Sequence, residues 1–156
     1  MPFVLMESTY EGEHNASPVP IRRQAYWALL SGAAGQFRGN KPIWSFDAGW
    51  QSALDSEGSW DMVHFRRFFE AHPRHQFVSD QAHQFVTGGL GEFRGLDYAA
   101  AAYTQDRRTL IAYIPRPRTI AVDTAQLAGP HLPIGRWSIV NMKRPTLRSR
   151  AGYAAK

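Results

Sequence analysis

The acids nearest the N-terminus stand in one short stretch. Phe3-Val4-Leu5-Met6 is an apolar run, Glu7 ends it, and Ser8-Thr9-Tyr10-Glu11-Gly12-Glu13-His14 follows. A carboxylate at the end of an apolar strand is held by the strand behind it, while the loop ahead stays open to substrate. That placement suits a nucleophile or a general base. It equally suits a loop cap or one half of an ion pair, and spacing alone leaves both readings open. Glu11, Glu13 and His14 are metal-ligand types on the same loop. No second cluster with ligand spacing accompanies them, so no metal and no other cofactor is expected. The chain has no Cys, hence no thiolate nucleophile and no disulfide. It also lacks a phosphate-cradling Gly loop, a GxSxG elbow and HExxH.

The elements that must position these groups follow from the pattern. Residues 2 to 6 read as a short buried strand. "ESTYEGEHNASPVP" is a loop, and Pro18 and Pro20 suit the start of a helix. In "IRRQAYWALLSG" the residues Ile21, Ala25, Leu29 and Gly32 fall on one helical face, widened by Tyr26, Trp27 and Leu30, with Gly32 and Gly35 ending the helix. "GQFRGNKPIWSF" reads as a second strand and its loop. "SEGSWDMVHFRRFFEAHP" is a second helix, with Ser56 or Ser59 as N-cap, Val63, Phe65, Phe68 and Phe69 toward the core, and Pro73 as the stop. Strand, loop, helix, strand, loop, helix implies parallel strands with covering helices. In such architectures the chemistry sits at the C-terminal strand ends, where Glu7 lies. Beyond about residue 78 the pattern changes to short runs, "YAAAAYT", "RTLIAYIP" and "RTIAVD". Gln105-Asp106-Arg107 is a hairpin turn, and Ile120 and Val122 alternate as in a half-buried strand. This half reads as an antiparallel sheet, part of a small sandwich.

A length of 156 residues with 44% hydrophobic and 13% aromatic content fits one globular domain or two small ones. The net charge is +5, from 18 basic and 13 acidic residues. Five of the basic ones (Lys143, Arg144, Arg148, Arg150, Lys156) lie between Ser138 and Lys156, where there is no acid. The rest is therefore balanced, and the basic end reads as a solvated tail rather than a specific nucleic-acid site. No apolar run is long enough for a membrane helix, and no signal-peptide pattern opens the chain.

Taken together, "FVLMESTYEGE", "IRRQAYWALLSGAAGQFRGNKPIW" and "WQSALDSEGSWDMVHFRRFFEAHP" resemble the closing part of the apiosidase-like glycoside hydrolases. Those enzymes join a (β/α)8 barrel to a small β domain often labelled as collagen-binding. "FVTGG", "YAAAAYTQDRRTLIAYIPRPRTIAVDTAQLAG" and "GRW" are similar to that second part. The resemblance covers residues 2 to 137. It implies α/β followed by all-β: residues 1–78 as the last two βα units of a TIM-type barrel, residues 79–137 as a small, incomplete antiparallel β-sandwich, and 138–156 as an irregular basic tail. After Arg136-Trp137 the sequence departs from the family pattern.

The resemblance also implies a function. Phe3 to Met6 would be the seventh barrel strand and Glu7 the catalytic carboxylate at its tip. Glycosidases place two carboxylates across the scissile bond, and only one matching position is present here. The chain is therefore expected to be an inactive fragment of an enzyme cleaving glycosidic bonds in plant-type polysaccharide. Its partners would be the carbohydrate substrate and the N-terminal barrel portion. The parent enzyme is expected to be secreted or periplasmic. Trp44 and Trp50 would stack on sugar rings, and Tyr10 would donate a hydrogen bond to the nucleophile or substrate. Arg38 and Asn40 would contact sugar hydroxyls, and Glu11 would bind sugar or serve the framework. A rival reading makes the chain a non-catalytic carbohydrate- or collagen-binding module, and a third makes the β half a brace for the barrel.

Overall fold

The computed structural model describes residues 3–129. The tail 138–156 and the end of the expected β unit, 130–137, lie outside them. Strand β1 (Val4–Leu5) runs parallel to β2 (Gly35–Gln36), with Val4 opposite Gly35 and Leu5 opposite Gln36. Parallel strands need a long crossover, here helix α1 (Pro18–Leu30), which follows the loop carrying the acids. Pro18 and Pro20 fix φ in its first turn, where no N–H partner is needed. The chain leaves α1 through Gly32 at φ +98°, a left-handed conformation that suits glycine. Gly35, expected to help end the helix, instead belongs to β2.

Residues 41–53, expected as loop, contain two short helices, α2 (Lys41–Ser45) and α3 (Trp50–Ala53). Helices of five and four residues are too short to show a 3.6-residue period, so their pattern is not readable in advance. Helix α4 (Glu57–Glu70) is capped by Ser56, whose Oγ accepts from the Ser59 N–H at 3.3 Å. Its buried positions Asp61, Phe65 and Phe69 recur at four-residue spacing and meet α1, and buried Gly58 in the first turn meets Glu11.

After α4 the chain builds antiparallel pairs. Strands β3 (Phe77–Ser79), β5 (Ala100–Thr104) and β6 (Leu110–Tyr113) form one sheet in the order β3-β5-β6. Strands β4 (Val86–Gly88) and β7 (Ala121–Val122) form a second pair with a register shift between Val86 and Gly88. The hairpin at Gln105-Asp106-Arg107 forms as expected: Asp106 Oδ1 accepts from the Thr104 hydroxyl and the Arg108 N–H, and Arg107 takes the left-handed position. Asp80 organises the turn from β3 to β4 by accepting the N–H groups of Gln84, Phe85 and Val86 at 2.8, 3.1 and 2.8 Å. Fully buried Phe85 stacks on Tyr103 of β5 at 4.2 Å, tying the two antiparallel units together. Val122, expected to be half-buried, is exposed, because β7 is a two-residue strand paired on one side.

One core joins both halves. Ala25, Tyr26, Leu29 and Leu30 of α1 and Phe65 and Phe69 of α4 pack with Ala100, Ala102 and Ile111 of the β3-β5-β6 sheet. Tyr26 is its hub, stacked on Tyr113 at 4.4 Å and edge-on to Phe65 at 4.9 Å. Each such ring pair contributes about 0.5–1.5 kcal/mol beyond its buried area. The salt bridge from Arg22 Nη1 to Asp61 Oδ2, 3.0 Å, is set into the same α1–α4 contact, and burial pushes the Asp61 carboxyl up against the pull of Arg22.

The parallel pair is covered differently. Phe3, Val4 and Met6, expected in a buried strand, are exposed, as is Phe37 just beyond β2. Among the described residues this sheet has two strands, no strand adds to either edge and no closed barrel forms. Among the described residues no helix is long and apolar enough to cross a membrane.

Candidate active site

The loop after β1 returns to the chain after β2. The Glu11 N–H donates to the Gly39 carbonyl at 3.1 Å and the Lys41 N–H donates to the Glu11 carbonyl at 2.9 Å, making a parallel bridge between Glu11 and Asn40. The two strand ends and their loops thus form one surface.

Glu11 lies behind that surface. Its carboxylate is ion-paired with Arg38 and accepts from the Ser56 hydroxyl at 2.8 Å, the Asn40 amide at 3.2 Å and the Gly58 N–H at 3.2 Å. Burial alone would raise its pKa. The hydrogen bonds from Ser56, Arg38 and Gly58, with the Arg38 charge, outweigh burial and hold it below the ordinary glutamate value. Gly58 is glycine for a steric reason: a Cβ there would lie 2.4 Å from Glu11 Oε2. Three segments far apart in sequence, the β1 loop, the end of β2 and the start of α4, are pinned through this one carboxylate. Arg38 also donates to Ser59 and Ser56, both at 2.9 Å. Asn40 is buried, and its Oδ1 has no partner.

Glu7 stands on the exposed side. The Tyr10 hydroxyl donates to its Oε1 across 3.4 Å, at the long limit of a hydrogen bond. Partial desolvation, then the Glu7 charge and hydrogen bond, push the Tyr10 phenol up, so it stays protonated and able to donate. The Tyr10 ring lies so close over Gly39 that a Cβ there would come within 2.1 Å of it. The other edge of that surface is Trp44 of α2, 70% exposed, whose ring meets Tyr10 edge-to-face at 6.4 Å. Trp50, at the start of α3, meets Phe46 edge-to-face at 5.4 Å.

The seven residues singled out in the sequence therefore divide into three groups. Glu7, Tyr10 and Trp44 form a solvent-facing row. Glu11, Arg38 and Asn40 form a half-buried lattice beneath the loop. Trp50 belongs to a separate aromatic pair. Ser56, Gly58 and Phe46 were not anticipated in these settings. Ser56 reads in the sequence as a helix cap, and nothing in local spacing reveals that it also serves Glu11, 45 residues away. Glu13 and His14 sit in a 3-10 turn (Glu13–Asn15), and among the described residues no group of three or more His, Cys, Asp or Glu could hold a metal ion.

The family description "Apiosidase-like, catalytic domain" matches residues 1–76. This segment is similar to that family. The apiosidase-like segment ends one residue before β3, so it contains every residue of the surface just described. The chain is similar in fold to a glycoside hydrolase family 5 protein from Bacteroides vulgatus ATCC 8482, with a TM-score of 0.66 and 23% identity. That likeness covers 82% of this chain and 31% of the other, and so extends past the apiosidase-like segment into the antiparallel half. No curated protein matches the sequence.

Proposed function

We propose that this chain supplies the last two βα units of a (β/α)8 glycoside hydrolase together with a small β-sandwich that braces them, and that Glu7 is one of the two catalytic carboxylates. The enzyme so completed cleaves glycosidic bonds in plant-type polysaccharide. The observation that carries the reading is the exposure of the parallel sheet. Parallel strands occur with both faces covered, yet Phe3, Val4, Met6 and Phe37 are open to solvent around β1 and β2. A groove of about 430 Å³ beside β2, lined by Gln36, Met62, Phe65 and Phe69, adds an unfilled apolar surface. A barrel portion covering this surface is in keeping with the apiosidase-like match and with a fold likeness that covers 31% of a glycoside hydrolase.

On this reading Glu7, exposed at the strand tip, attacks the anomeric carbon or takes a proton from the attacking water. The second carboxyl group, on the partner portion, protonates the leaving oxygen. Tyr10 donates to Glu7 and keeps its carboxylate turned toward the Trp44 face, on which the sugar ring stacks. Trp50, paired with Phe46 apart from that row, offers a further aromatic face for sugar. Arg38, Asn40 and Glu11 hold the loop in register from beneath it. Bracing by the antiparallel half is supported by Tyr113 and Ile111, which pack on α1 rather than on a surface of their own.

The test is an assay of the 156-residue chain on 4-nitrophenyl glycosides, alone and mixed with the preceding six βα units of a related barrel. The expected result is no turnover alone, turnover on mixing, and a loss of roughly a thousandfold or more with Glu7→Gln, about 4 kcal/mol of transition-state stabilisation. Turnover by the chain alone, or a mixed Glu7→Gln enzyme at near full activity, would refute it.

A further inference from the structure

The segment 41–55, which holds α2 and α3, contains no buried residue, and the rings of Trp44 and Phe46 stand open to solvent. Short helices draw their stability from packing an apolar face, and this segment has no such seat. It is nevertheless held together from within. Among the described residues, the hydrogen bonds of residues 42–52 all fall between Asn40 and Asp55. The Asp47 N–H donates to the Pro42 carbonyl and the Trp50 N–H to the Asp47 carbonyl, both at 3.0 Å. Phe46 at φ 52° and Gly49 at φ 81°, both left-handed, reverse the chain between the two helices. The Phe46 and Trp50 rings then clasp α2 to α3, edge-to-face at 5.4 Å.

Both ends of the segment meet at Glu11. At the start, the Lys41 N–H donates to the Glu11 carbonyl at 2.9 Å and the Asn40 amide to its carboxylate at 3.2 Å. At the end, the Ser56 hydroxyl donates to the same carboxylate at 2.8 Å. Joined ends with the body standing out describe an Ω-loop. Near the root, the Ala53 carbonyl accepts from the Ser59 hydroxyl at 3.2 Å. Past the root, the one ring contact between the segment and the rest of the described residues is Trp44 against Tyr10 at 6.4 Å. Such an edge-to-face pair favours the seated position only about two- to twelvefold in population. A firm root, a coherent body and a weak outer contact are the parts of a hinged element.

We propose that residues 41–55 form a strap that opens and closes as one body, pivoting on Glu11 and latched by Trp44 on Tyr10. Its consequence rests on the reading of Glu7 as a catalytic carboxylate. Glu7 and Tyr10 stay on the fixed strand end while the Trp44 wall swings away to admit a ligand and returns to enclose it.

The test is 15N relaxation dispersion on the full chain, which reads microsecond-to-millisecond exchange at each amide. Amides from Ile43 to Leu54 should fit one exchange rate and one minor population, while those of α1 and β5 stay flat. Tyr10→Ala and Trp44→Ala each remove the latch and should increase the open population at least threefold. Tyr10→Phe keeps the ring and should leave it unchanged. Glu11→Gln weakens the pivot and should extend the exchange to Gly58 and Ser59. Rates and populations that differ from residue to residue would overturn the inference, because independent fraying gives that pattern. So would flat profiles over the segment in both the native chain and Tyr10→Ala, or an open population that Tyr10→Phe raises as much as Tyr10→Ala does. Neither sugar nor turnover enters the measurement, so its failure leaves the reading of Glu7 standing, and a dispensable Glu7 leaves the strap standing.

Discussion

Gly58→Ala should change the sign of its effect with the residue at position 11. Gly58 lies in the first turn of α4 at a backbone conformation open to any residue, and alanine is the better helix former by up to about 1 kcal/mol. Helix propensity alone therefore predicts stabilisation. The added Cβ, however, would stand 2.4 Å from Glu11 Oε2 and 2.8 Å from its Cδ. The carboxylate must withdraw, loosening the Gly58 N–H bond and the contacts to Ser56 and Arg38. A hydrogen bond to a charged group contributes about 1.5–3 kcal/mol, so Gly58→Ala should destabilise by about 1–2 kcal/mol in the native sequence. Glu11→Ala alone should cost about 3 kcal/mol, because it leaves the largely buried Arg38 guanidinium without its counter-charge. In the Glu11→Ala background the obstruction is gone, and Gly58→Ala should stabilise by up to about 1 kcal/mol. The coupling across the cycle is then about 1–3 kcal/mol. Urea unfolding followed by circular dichroism reads it directly: at about 2 kcal/mol per molar, a 2 kcal/mol change moves the midpoint by about 1 M. If Gly58→Ala raises the midpoint with Glu11 in place, or lowers it equally in both backgrounds, the Glu11 lattice does not hold the start of α4.

Glu7→Gln should leave the urea midpoint of the chain within about 0.5 kcal/mol of the native value, because Glu7 is exposed and makes one long hydrogen bond; a large drop would make it a framework residue. Gly39→Ala should displace the Tyr10 ring from its seat and separate it from Trp44. Tryptophan fluorescence should report this as a shifted emission maximum, one that Tyr10→Ala reproduces. The acid side of the stability profile should depend on Glu11. Its pKa is lowered on folding, so its contribution is complete above the ordinary value of 4.5 and is lost as the pH falls through that value toward the folded one. Melting temperatures from pH 7 to pH 3 should therefore fall less steeply in Glu11→Gln than in the native chain, and parallel slopes would contradict the assignment.

What could be read from the sequence was what depends on neighbours along the chain. The faces of α1 and α4, the Ser56 cap and the hairpin at Asp106 follow from periods and turn chemistry within a few residues. The Glu7 position at a strand end is equally local. The role of Glu11 is not, because its partners are 27, 29, 45 and 47 residues away. The same holds for Asp61, which sits in a helix segment that reads as ordinary amphipathic sequence and is buried only because Arg22 meets it from α1. Strand β3, three residues long, offers no alternation to detect, and the exposure of Val122 depends on how β7 is paired rather than on its composition.

Strand β5 contributes Ala100, Ala101 and Ala102, all buried, where β-branched or aromatic residues would be usual in a strand. Methyl groups let α1 settle close to the sheet, and they hand Tyr26 a space bounded by residues from both halves of the chain. The consequence is evolutionary. A cassette that can be exchanged by recombination must carry its own interior, and among the described residues the core face of the β3-β5-β6 sheet is completed by α1. Set against a different helix, the sheet would present the small residues Ala100 and Ala102, which suit a helix with a large aromatic at the position of Tyr26. Inheritance should therefore keep Tyr26 and the alanine strand together, and chimeras cut between α4 and β3 should be recoverable only when α1 travels with the sheet.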